Sequence, residues 1–340
     1  MAKRKNVSVK FIAEKCGVST ATISRVINGD NKVSESTREK VLSAFKEYNY
    51  KYPEKSSTLS RKKIGVITTV SNQDYFASLL HEIINYMAEY DFSVISYSMG
   101  RGKFSLKEGL ETLYDSNVSG IIIISGDYVS VKDFLLPSIP HVWIDCNDAP
   151  EDTADICTVQ SDQYVSGCLA ARALISQSCK HPIMIMSTRQ SIRREERKKG
   201  FFDEFQRAGI VLGPDNIVEV ETTKDGFTDS REAIRYLIAK GVSFDSVFAI
   251  SDWRALGAYT GAISMGKRVP EDICIIGFDG VSLACKSVNI TSVQQNTRRL
   301  SQCSCDQLLH LMRGEDVPER HIIIPTDILP GQTLLQAQQL

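Results

Sequence analysis

Polar and aromatic side chains stand at the ends of several apolar runs in this chain, where they could bind a small molecule. These residues are Tyr75, Phe76, Asp145, Ser251, Trp253 and Asp279. A carboxylate can accept hydrogen bonds from two hydroxyl groups in fixed geometry, and an aromatic ring can cover the apolar face of a sugar. The residue types therefore predict a binding site for a sugar-like compound.

Several of these residues also have a purely structural interpretation. Asp252 fits the N-cap of a helix starting at Trp253 better than a ligand contact, and Asp162 could equally cap the helix that follows it. Trp253 could stack on a ligand or form only a wall of the site. Asp145 and Asp279 are the stronger candidates, because a carboxylate just past a buried strand needs a partner.

The motifs of common catalytic and metal sites are missing from the sequence. The first apolar run is followed by SNQDYF, without the GxGxxG turn of a dinucleotide-binding enzyme, and neither GxSxG nor HExxH occurs. The five histidines are scattered without ligand spacing, and the nine cysteines include no CxxC pair. We therefore expect no metal, no cofactor and no enzymatic activity, and we expect the cysteines to be reduced thiols.

The first fifty residues carry a different pattern, which predicts short helices over 9–15 and 20–28 and a third helix after Ser34. Ser8 and Ser19 are placed to cap the first two helices, and Gly17 lies between them, where a helix C-terminus favours positive φ. In the second helix Ile23, Val26 and Ile27 point inward, leaving Thr20, Ala21, Thr22, Ser24 and Arg25 on the other faces. This arrangement is typical of a helix-turn-helix that enters the DNA major groove, the alternative being a plain three-helix domain with a solvated face.

Charge is distributed unevenly along the chain, although the net charge is only −1. Residues 1–63 contain fifteen Lys and Arg against six Asp and Glu, whereas the rest contains 25 against 35. A basic end beside an acidic remainder indicates a polyanionic partner at one end only. No apolar segment approaches the ~20 residues of a membrane span, and the N-terminus has no apolar signal core, so we expect a cytoplasmic protein.

From residue 64 onward apolar strands alternate with helices, in two successive series. This pattern predicts an α/β fold of two doubly wound lobes, like that of periplasmic binding proteins. We expect a helix-turn-helix domain over 1–50, a linker over 51–63, and a two-lobed effector-binding and dimerisation domain over 64–340. Ligands of such lobes bind beyond the carboxyl ends of the strands, in the cleft.

The stretch VSVKFIAEKCGVSTATISRVING resembles the opening of the lactose-repressor (LacI) family of bacterial transcription regulators. The resemblance continues through the large domain, in Ile64-Gly65-Val66-Ile67, Gly200-Phe201, Val269-Pro270-Glu271-Asp272 and Ile276-Gly277-Phe278-Asp279. It therefore covers most of the chain. It implies that the chain crosses between the lobes three times.

For DNA, the resemblance implies that Thr20, Ala21 and Arg25 meet base edges in the major groove. It places a further set at phosphates: Ser8, Ser19, Thr22, Ser24, Asn28 and Thr37. Family linkers form a hinge helix whose Leu enters the minor groove, and Leu59 is the only apolar candidate here. This linker lacks the usual Ala-Arg pair and is several residues short, so a flexible tether is an equal alternative.

For the effector, the resemblance places a ligand-binding arginine at Arg197, just ahead of Gly200-Phe201. The alternative is a solvated charged face, because Arg197 lies in the run RREERKK (193–199). Ser251 replaces a frequent family Asn, so polar contacts there must differ. Nothing in the sequence identifies the sugar.

The resulting hypothesis is a cytoplasmic homodimeric repressor of carbohydrate genes. It binds double-stranded operator DNA at a pseudo-palindrome and is controlled by a sugar or sugar phosphate. One alternative keeps DNA binding but replaces the sugar with a partner phosphoprotein. Another is a sugar-binding protein or a Rossmann-type enzyme, against which the basic N-terminal domain counts.

Overall fold

The computed structural model describes residues 9–27, 33–48, 62–69, 74–99, 105–188, 191–221, 225–280 and 288–335. The chain divides into a small unit, residues 1–61, and a large unit, residues 62–340. Ser8, Asn28 and Leu59 lie outside the described residues, as does the linker up to Arg61. Their expected roles in DNA binding therefore stay predictions.

The small unit contains three helices around one apolar core. They are α1 (Val9–Cys16), α2 (Thr20–Ile27) and α3 (Glu35–Glu47). The fully or nearly fully buried members of the core are Ile12, Ala13, Cys16, Ile23, Val26, Val41, Ala44 and Phe45. They come from all three helices at helical spacing, so burial of these side chains fixes the orientation of α2 against α1 and α3.

The turn between α1 and α2 is formed as the sequence predicts. Gly17 has φ +63°, and the backbone N–H of Val18 donates to the carbonyl of Ala13 at 3.0 Å, which closes the end of α1. Ser19 Oγ accepts the backbone N–H of Thr22 at 3.1 Å. The predicted cap of α2 is therefore confirmed.

The first lobe of the large unit is a six-stranded sheet with strand order β11-β5-β4-β3-β1-β2, all parallel. Its elements are β1 (Lys62–Thr69), α4 (Asp74–Ala88), β2 (Phe92–Met99), α5 (Leu106–Asp115), β3 (Ile121–Ile124), β4 (His141–Ile144), β5 (Cys157–Ser161), α10 (Thr297–Met312) and β11 (His321–Ile324). Strands β3 and β4 are buried on both faces, as continuous apolar runs require.

The second lobe has the same architecture, with strand order β12-β10-β9-β8-β6-β7. Its elements are α6 (Gln163–Ser176), β6 (Pro182–Ser187), α7 (Ile192–Arg207), β7 (Ile217–Val220), α8 (Gly226–Ala239), β8 (Ser246–Ala249), α9 (Asp252–Ser264), β9 (Cys274–Asp279), β10 (Thr291–Gln294) and β12 (Asp327–Leu329). Only β12 pairs antiparallel among the described strands of this sheet. The predicted fold of two doubly wound lobes is confirmed.

The chain passes between the lobes after β5, after β10 and after β11, so the three expected crossings are present. The sequence did not indicate β5, β10 or β12 as strands. Each is at most five residues long, and polar residues interrupt its apolar pattern. Such short mixed runs are defined as strands by their neighbours in the sheet more than by their own composition.

Helices α6 and α7 pack with their backbones in contact, because glycines occupy the crossing point. A Cβ added at Gly200 would overlap the carbonyl oxygen of Tyr164, and one added at Gly167 would overlap that of Arg197. Backbone atoms cannot move aside as a flexible side chain can. The crossing therefore sets the position of α7 relative to the rest of its lobe.

We expect Gly200→Ala to lower the free energy of unfolding by about 1–3 kcal/mol through this overlap. Alanine in the middle of a helix normally stabilises by up to about 1 kcal/mol, so a net loss would be diagnostic of the close crossing. Urea denaturation measures the effect. Gly213→Ala is the control, since a Cβ at Gly213 meets nothing within 4 Å. Equal stability of the two variants would contradict the prediction.

Candidate functional site

Helix α2 presents a small, polar surface. Thr20, Ala21, Ser24 and Arg25 are exposed on it, opposite the buried Ile23 and Val26. The helix begins with residues whose side chains are short, so its N-terminal turn can approach a groove closely. Arg25 adds a planar group able to bind a guanine edge through two hydrogen bonds.

Three of the residues expected at phosphates, Ser19, Thr22 and Thr37, lie at the starts of α2 and α3. Ser19 Oγ and Thr22 Oγ1 are 2.9 Å apart, and Thr37 Oγ1 lies 2.8 Å from Ser34 Oγ at the start of α3. These hydroxyls therefore sit at two helix N-termini, where backbone N–H groups also favour an anion. Their contacts with phosphate stay predictions.

In the large unit, the side chain of Arg193 joins the two lobes. Its Nη1 lies 3.2 Å from Asp145 Oδ2, and its Nη2 donates to Ser125 Oγ at 2.9 Å and to Asn147 Oδ1 at 2.8 Å. Arg193 belongs to α7 of the second lobe, whereas its three partners follow β3 and β4 of the first. Burial lowers the pKa of Arg193 to about 10, so it remains cationic at neutral pH. We call Arg193 with Ser125, Asp145 and Asn147 the arginine clamp.

Asp145 is held from the first lobe as well. Tyr75 Oη, at the start of α4, donates to Asp145 Oδ2 at 2.7 Å, and both residues are buried. Asp145 and Ser125 have φ of 55° and 59°, in the left-handed region that non-glycine residues seldom adopt. Strain of this kind costs about 1–3 kcal/mol per residue and is concentrated at ligand sites.

Arg197 lies one turn after Arg193 but turns into its own lobe. Its Nε and Nη2 donate to Gln163 Oε1 at 3.1 and 2.5 Å, and its Nη1 donates to the carbonyl of Ile250 at 3.0 Å. The guanidinium carbon lies 3.2 Å from the centroid of the Phe278 ring. Arg197 is only 7% exposed, so the alternative of a solvated charged face is wrong for this residue.

Asp279 ends β9 beside this arginine. Its Oδ1 accepts a hydrogen bond from Gln295 Nε2 at 2.9 Å, and its φ is 107°. Burial, and after it the charge of Asp252, raises the pKa of Asp279 to about 8, while Arg197 acts in the opposite direction. The same carboxyl contributes, after burial, to raising the pKa of Tyr75 in the other lobe. Tyr75, Asp145, Arg197 and Asp279 therefore belong to one site at the junction of the lobes.

The start of α9 differs from the sequence interpretation. Ser251 is the N-cap, with its Oγ accepting the backbone N–H of Arg254 at 3.4 Å, and the helix begins at Asp252. Asp252 Oδ1 instead accepts a hydrogen bond from Ser292 Oγ at 2.5 Å. The interpretation of Asp252 as the cap is therefore wrong, because the extended backbone of Ser251 already brings its side chain to that N–H group. By contrast, Asp162 does cap α6.

Each lobe contributes one pair of aromatic rings. The rings of Tyr75 and Phe76 are 5.4 Å apart, and those of Phe227 and Trp253 are 5.5 Å apart. All four residues lie in the first turn of a helix that follows a strand end. This is the position expected for rings that cover a ligand in an α/β cleft.

Three buried polar atoms near this junction have no hydrogen-bond partner among the described residues. They are Asp145 Oδ1, Trp253 Nε1 and Gln295 Oε1. Leaving a buried polar group unpaired costs about 1–3 kcal/mol, so each needs an explanation. Two acceptors and one donor are together complementary to a molecule with several hydroxyl groups.

The sequence interpretation missed Arg193, Ser125, Asn147 and Gln295. Ser125 shared one recognisable feature with Asp145, since both follow a run of buried aliphatic residues directly. Arg193 had none, because its neighbours in RREERKK are equally charged. Only the placement of α7 against the first lobe distinguishes it.

Other kinds of site are not found in the part of the chain that the structure describes. No cluster of three or more His, Cys, Asp or Glu residues there has the arrangement of a metal site. Within the same residues, no helix has the length and apolar character needed to cross a membrane.

Two family descriptions match the chain. Residues 8–52 match "Bacterial regulatory proteins, lacI family", and residues 171–334 match "Periplasmic binding protein-like domain". The chain belongs to the lacI family of bacterial regulatory proteins. The resemblance drawn from the sequence is thereby confirmed.

Curated LacI-family relatives match over nearly their whole length. The HTH-type transcriptional repressor PurR of Pasteurella multocida is 29% identical over 93% of this chain and 95% of its own. The ribose operon repressor of Haemophilus influenzae is 29% identical over 95% of this chain and 97% of its own.

Solved structures of similar fold cover nearly the whole chain. The lac repressor dimer bound to operator and the anti-inducer ONPF has a TM-score of 0.73 at 24% identity, covering 97% of this chain and 99% of that one. A transcriptional regulator CelR-cellobiose complex has a TM-score of 0.70 at 23% identity, covering 96% and 99%.

We expect Asp279→Asn to change how the stability of this LacI-family protein depends on pH. Between the ordinary aspartate pKa of ~3.9 and the folded value near 8, the folded state binds a proton that the unfolded state has released. Wild-type stability therefore falls as pH rises through this window, by at most about 1.4 kcal/mol per pH unit from this group. The variant lacks this loss, so its stability relative to wild type should increase from pH 5 to 8, measured by urea denaturation.

The exposed Asp115, at the end of α5, provides the control for this measurement. Asp115→Asn should give a stability profile parallel to that of wild type across the same pH range. A parallel profile for Asp279→Asn as well would show that Asp279 does not hold its proton in the folded protein.

Proposed function

We propose that this protein represses transcription by binding an operator, and that an uncharged sugar bound between the lobes of its large unit controls the binding. The observation that carries the proposal is the arginine clamp, which spans the two lobes beside unpaired buried acceptors and a donor. A protein of this kind acts in the cytoplasm and is not an enzyme.

The DNA-binding role is assigned to the exposed face of α2. Thr20, Ala21 and Arg25 would meet base edges, while the hydroxyls at the starts of α2 and α3 would position the unit on phosphates. The basic balance of residues 1–63 supplies the sequence-independent part of the affinity. Leu59 would contribute a minor-groove contact if the linker forms a helix on DNA.

A homodimer is part of the proposal, because one recognition helix contacts only a few base pairs. Two copies related by a two-fold axis would read the two halves of a pseudo-palindrome. The solved lac repressor structure is that of a dimer on its operator, which supports this arrangement.

We expect Arg25→Ala to abolish sequence discrimination while leaving weak, salt-sensitive binding to any duplex. The lost bidentate contact is worth about 1–3 kcal/mol of discrimination per half-site. The measurement is selection of bound sequences from a random duplex pool, followed by titration of the selected and a scrambled duplex. Lys46 is an exposed residue of α3, and Lys46→Ala removes one positive charge away from the face of α2. This control variant should keep the preference for the selected sequence. An Arg25→Ala protein that still prefers the selected sequence would disprove the assignment.

The effector-binding role is assigned to the junction of the lobes. Asp145 Oδ1 and Gln295 Oε1 are free to accept hydroxyl protons there, and Trp253 Nε1 is free to donate. The aromatic pairs supply a ring face on each side, as a sugar requires. The buried carboxylate of Asp145 disfavours a second anion nearby, which argues for a sugar without phosphate.

Control of DNA binding would follow from the clamp. A sugar that hydrogen-bonds to Asp145 and to groups of the second lobe can make all these contacts only when the lobes are at a suitable distance. It therefore binds that conformation of the protein more tightly than others. Binding then shifts the population of separations by the difference in affinity. The lobe that follows the linker would carry this change toward the DNA-binding unit.

We expect Asp145→Asn to weaken binding of the effector sugar about 10- to 100-fold, since hydrogen bonds to a charged group contribute about 1.5–3 kcal/mol. Asparagine tolerates the left-handed backbone of this position. Thermal stabilisation by a panel of neutral monosaccharides and their phosphates identifies the ligand, and titration of the variant gives the loss. Asp115→Asn is the matched control on the first lobe. If only a phosphorylated sugar stabilises the protein, the assignment of an uncharged effector is wrong.

A further inference from the structure

The first lobe contains a second cavity, distant along its strands from the arginine clamp. It has a volume of about 540 Å³ and is lined by residues at the starts of β4 and β5, by the end of α10 and by the loop 128–140. The clamp lies at the carboxyl ends of β3 and β4, whereas this cavity lies at their amino ends. The volume is within the range of small-molecule sites, about 300–1,000 Å³.

The lining of the cavity includes two cationic side chains. Arg320 and Lys132 both line it, and Arg320 Nη1 donates to the backbone carbonyl of Asp155 at 3.1 Å. That contact positions the guanidinium, and Arg320 as a whole is exposed. The Asp155 carboxylate is the acidic group of the lining, so the local balance remains positive.

One residue of the lining, His141, has a buried ring nitrogen without a partner among the described residues. His141 is the first residue of β4, and burial lowers its pKa, so the ring is neutral at physiological pH. A hydrogen bond to the backbone at Ile139 occupies one ring nitrogen, and Nε2 has no partner among the described residues. A neutral ring whose other nitrogen donates leaves Nε2 as an acceptor. A bound hydroxyl group would satisfy it.

Most of the other lining residues are apolar or aromatic, although Ser119 and Ser138 also line the cavity. Tyr128 stacks on His141 with ring centroids 6.4 Å apart and planes 18° apart, and Leu136 and Met312 also line the cavity. Leu136 is 43% exposed, so its apolar side chain is accessible to a molecule in the cavity. An aromatic or otherwise apolar ring fits this environment.

We propose that this cavity is a second ligand site, which binds a small hydroxylated aromatic anion. The carboxylate or phosphate of the ligand pairs with Arg320 and Lys132, its ring lies against Tyr128 and Leu136, and its hydroxyl donates to His141 Nε2. The site is separate from the proposed sugar site at the clamp. Because Ser119 lines the cavity and its N–H donates to the carbonyl of Lys63 at 2.7 Å, an occupant would contact the segment that holds the start of β1.

The probe for this proposal is 4-hydroxybenzoate, titrated into the full-length protein by isothermal calorimetry, with benzoate and phenol as probes that each lack one group. We expect one molecule of 4-hydroxybenzoate to bind per chain with millimolar or tighter affinity, and both partial probes to bind at least about tenfold more weakly. No measurable binding of 4-hydroxybenzoate would overturn the proposal.

Variants locate the bound probe. Arg320→Gln should lower the affinity for 4-hydroxybenzoate at least about tenfold. His141→Phe retains an aromatic ring and should lower its affinity to that of benzoate. Arg313→Gln, which changes an exposed arginine after α10 that does not line the cavity, should leave binding unchanged.

Two outcomes contradict the assignment. Full binding in Arg320→Gln would show that this cavity is not the site, and an equal loss of binding in Arg320→Gln and Arg313→Gln would show that the probe responds only to surface charge. Should His141→Phe not fold, as judged by circular dichroism, the exposed Arg320 still decides between these outcomes.

Discussion

The contact between the lobes of the large unit depends on one partly buried cation, Arg193. Arg193 extends from the second lobe and ends among polar atoms that belong only to the first. Breaking a buried ion pair by removing one partner costs about 3–5 kcal/mol, because the remaining charge stays desolvated. The separation of the lobes is therefore coupled to the hydrogen-bonding state of Asp145, which is the residue that also presents an unpaired oxygen. A ligand that satisfies that oxygen acts directly on the contact between the lobes.

The clamp in turn requires that α7 be placed accurately. Glycines at the crossing of α6 and α7 allow backbone contact, and Arg197 then fastens the helix through Gln163, Ile250 and the Phe278 ring. Arg193 and Arg197 are four residues apart and so project from one side of the helix. The guanidinium of Arg197 fixes α7 within the second lobe, and that of Arg193 contacts the first lobe. Two arginines of the same charged run thus have different roles, which their burial and partners distinguish.

How much of this could be predicted from the sequence depends on the range of the interactions. The apolar runs indicated both sheets, and Ser19 indicated the cap of α2, because these patterns involve residues near in sequence. Asp145 and Asp279 were recognisable as polar residues after buried strands. Arg193 was not, since its partners lie 46 to 68 residues away. Ser251 and Asp252 are adjacent and are both good cap residues. Ser251 is the cap because its backbone is extended, which brings its side chain to the N–H group of Arg254.

Strand β4 connects the two sites of the first lobe. His141, at its amino end, lies in the second cavity, and Asp145 follows its carboxyl end in the clamp. The residues between them are fully buried, and Trp143 contacts the rings of both His141 and Tyr128. A short strand in a close-packed sheet moves as a rigid body, so a displacement at one end reaches the other. Energetic coupling also needs an element with two arrangements. The clamp would be that element if a ligand broke its hydrogen bonds across the lobes.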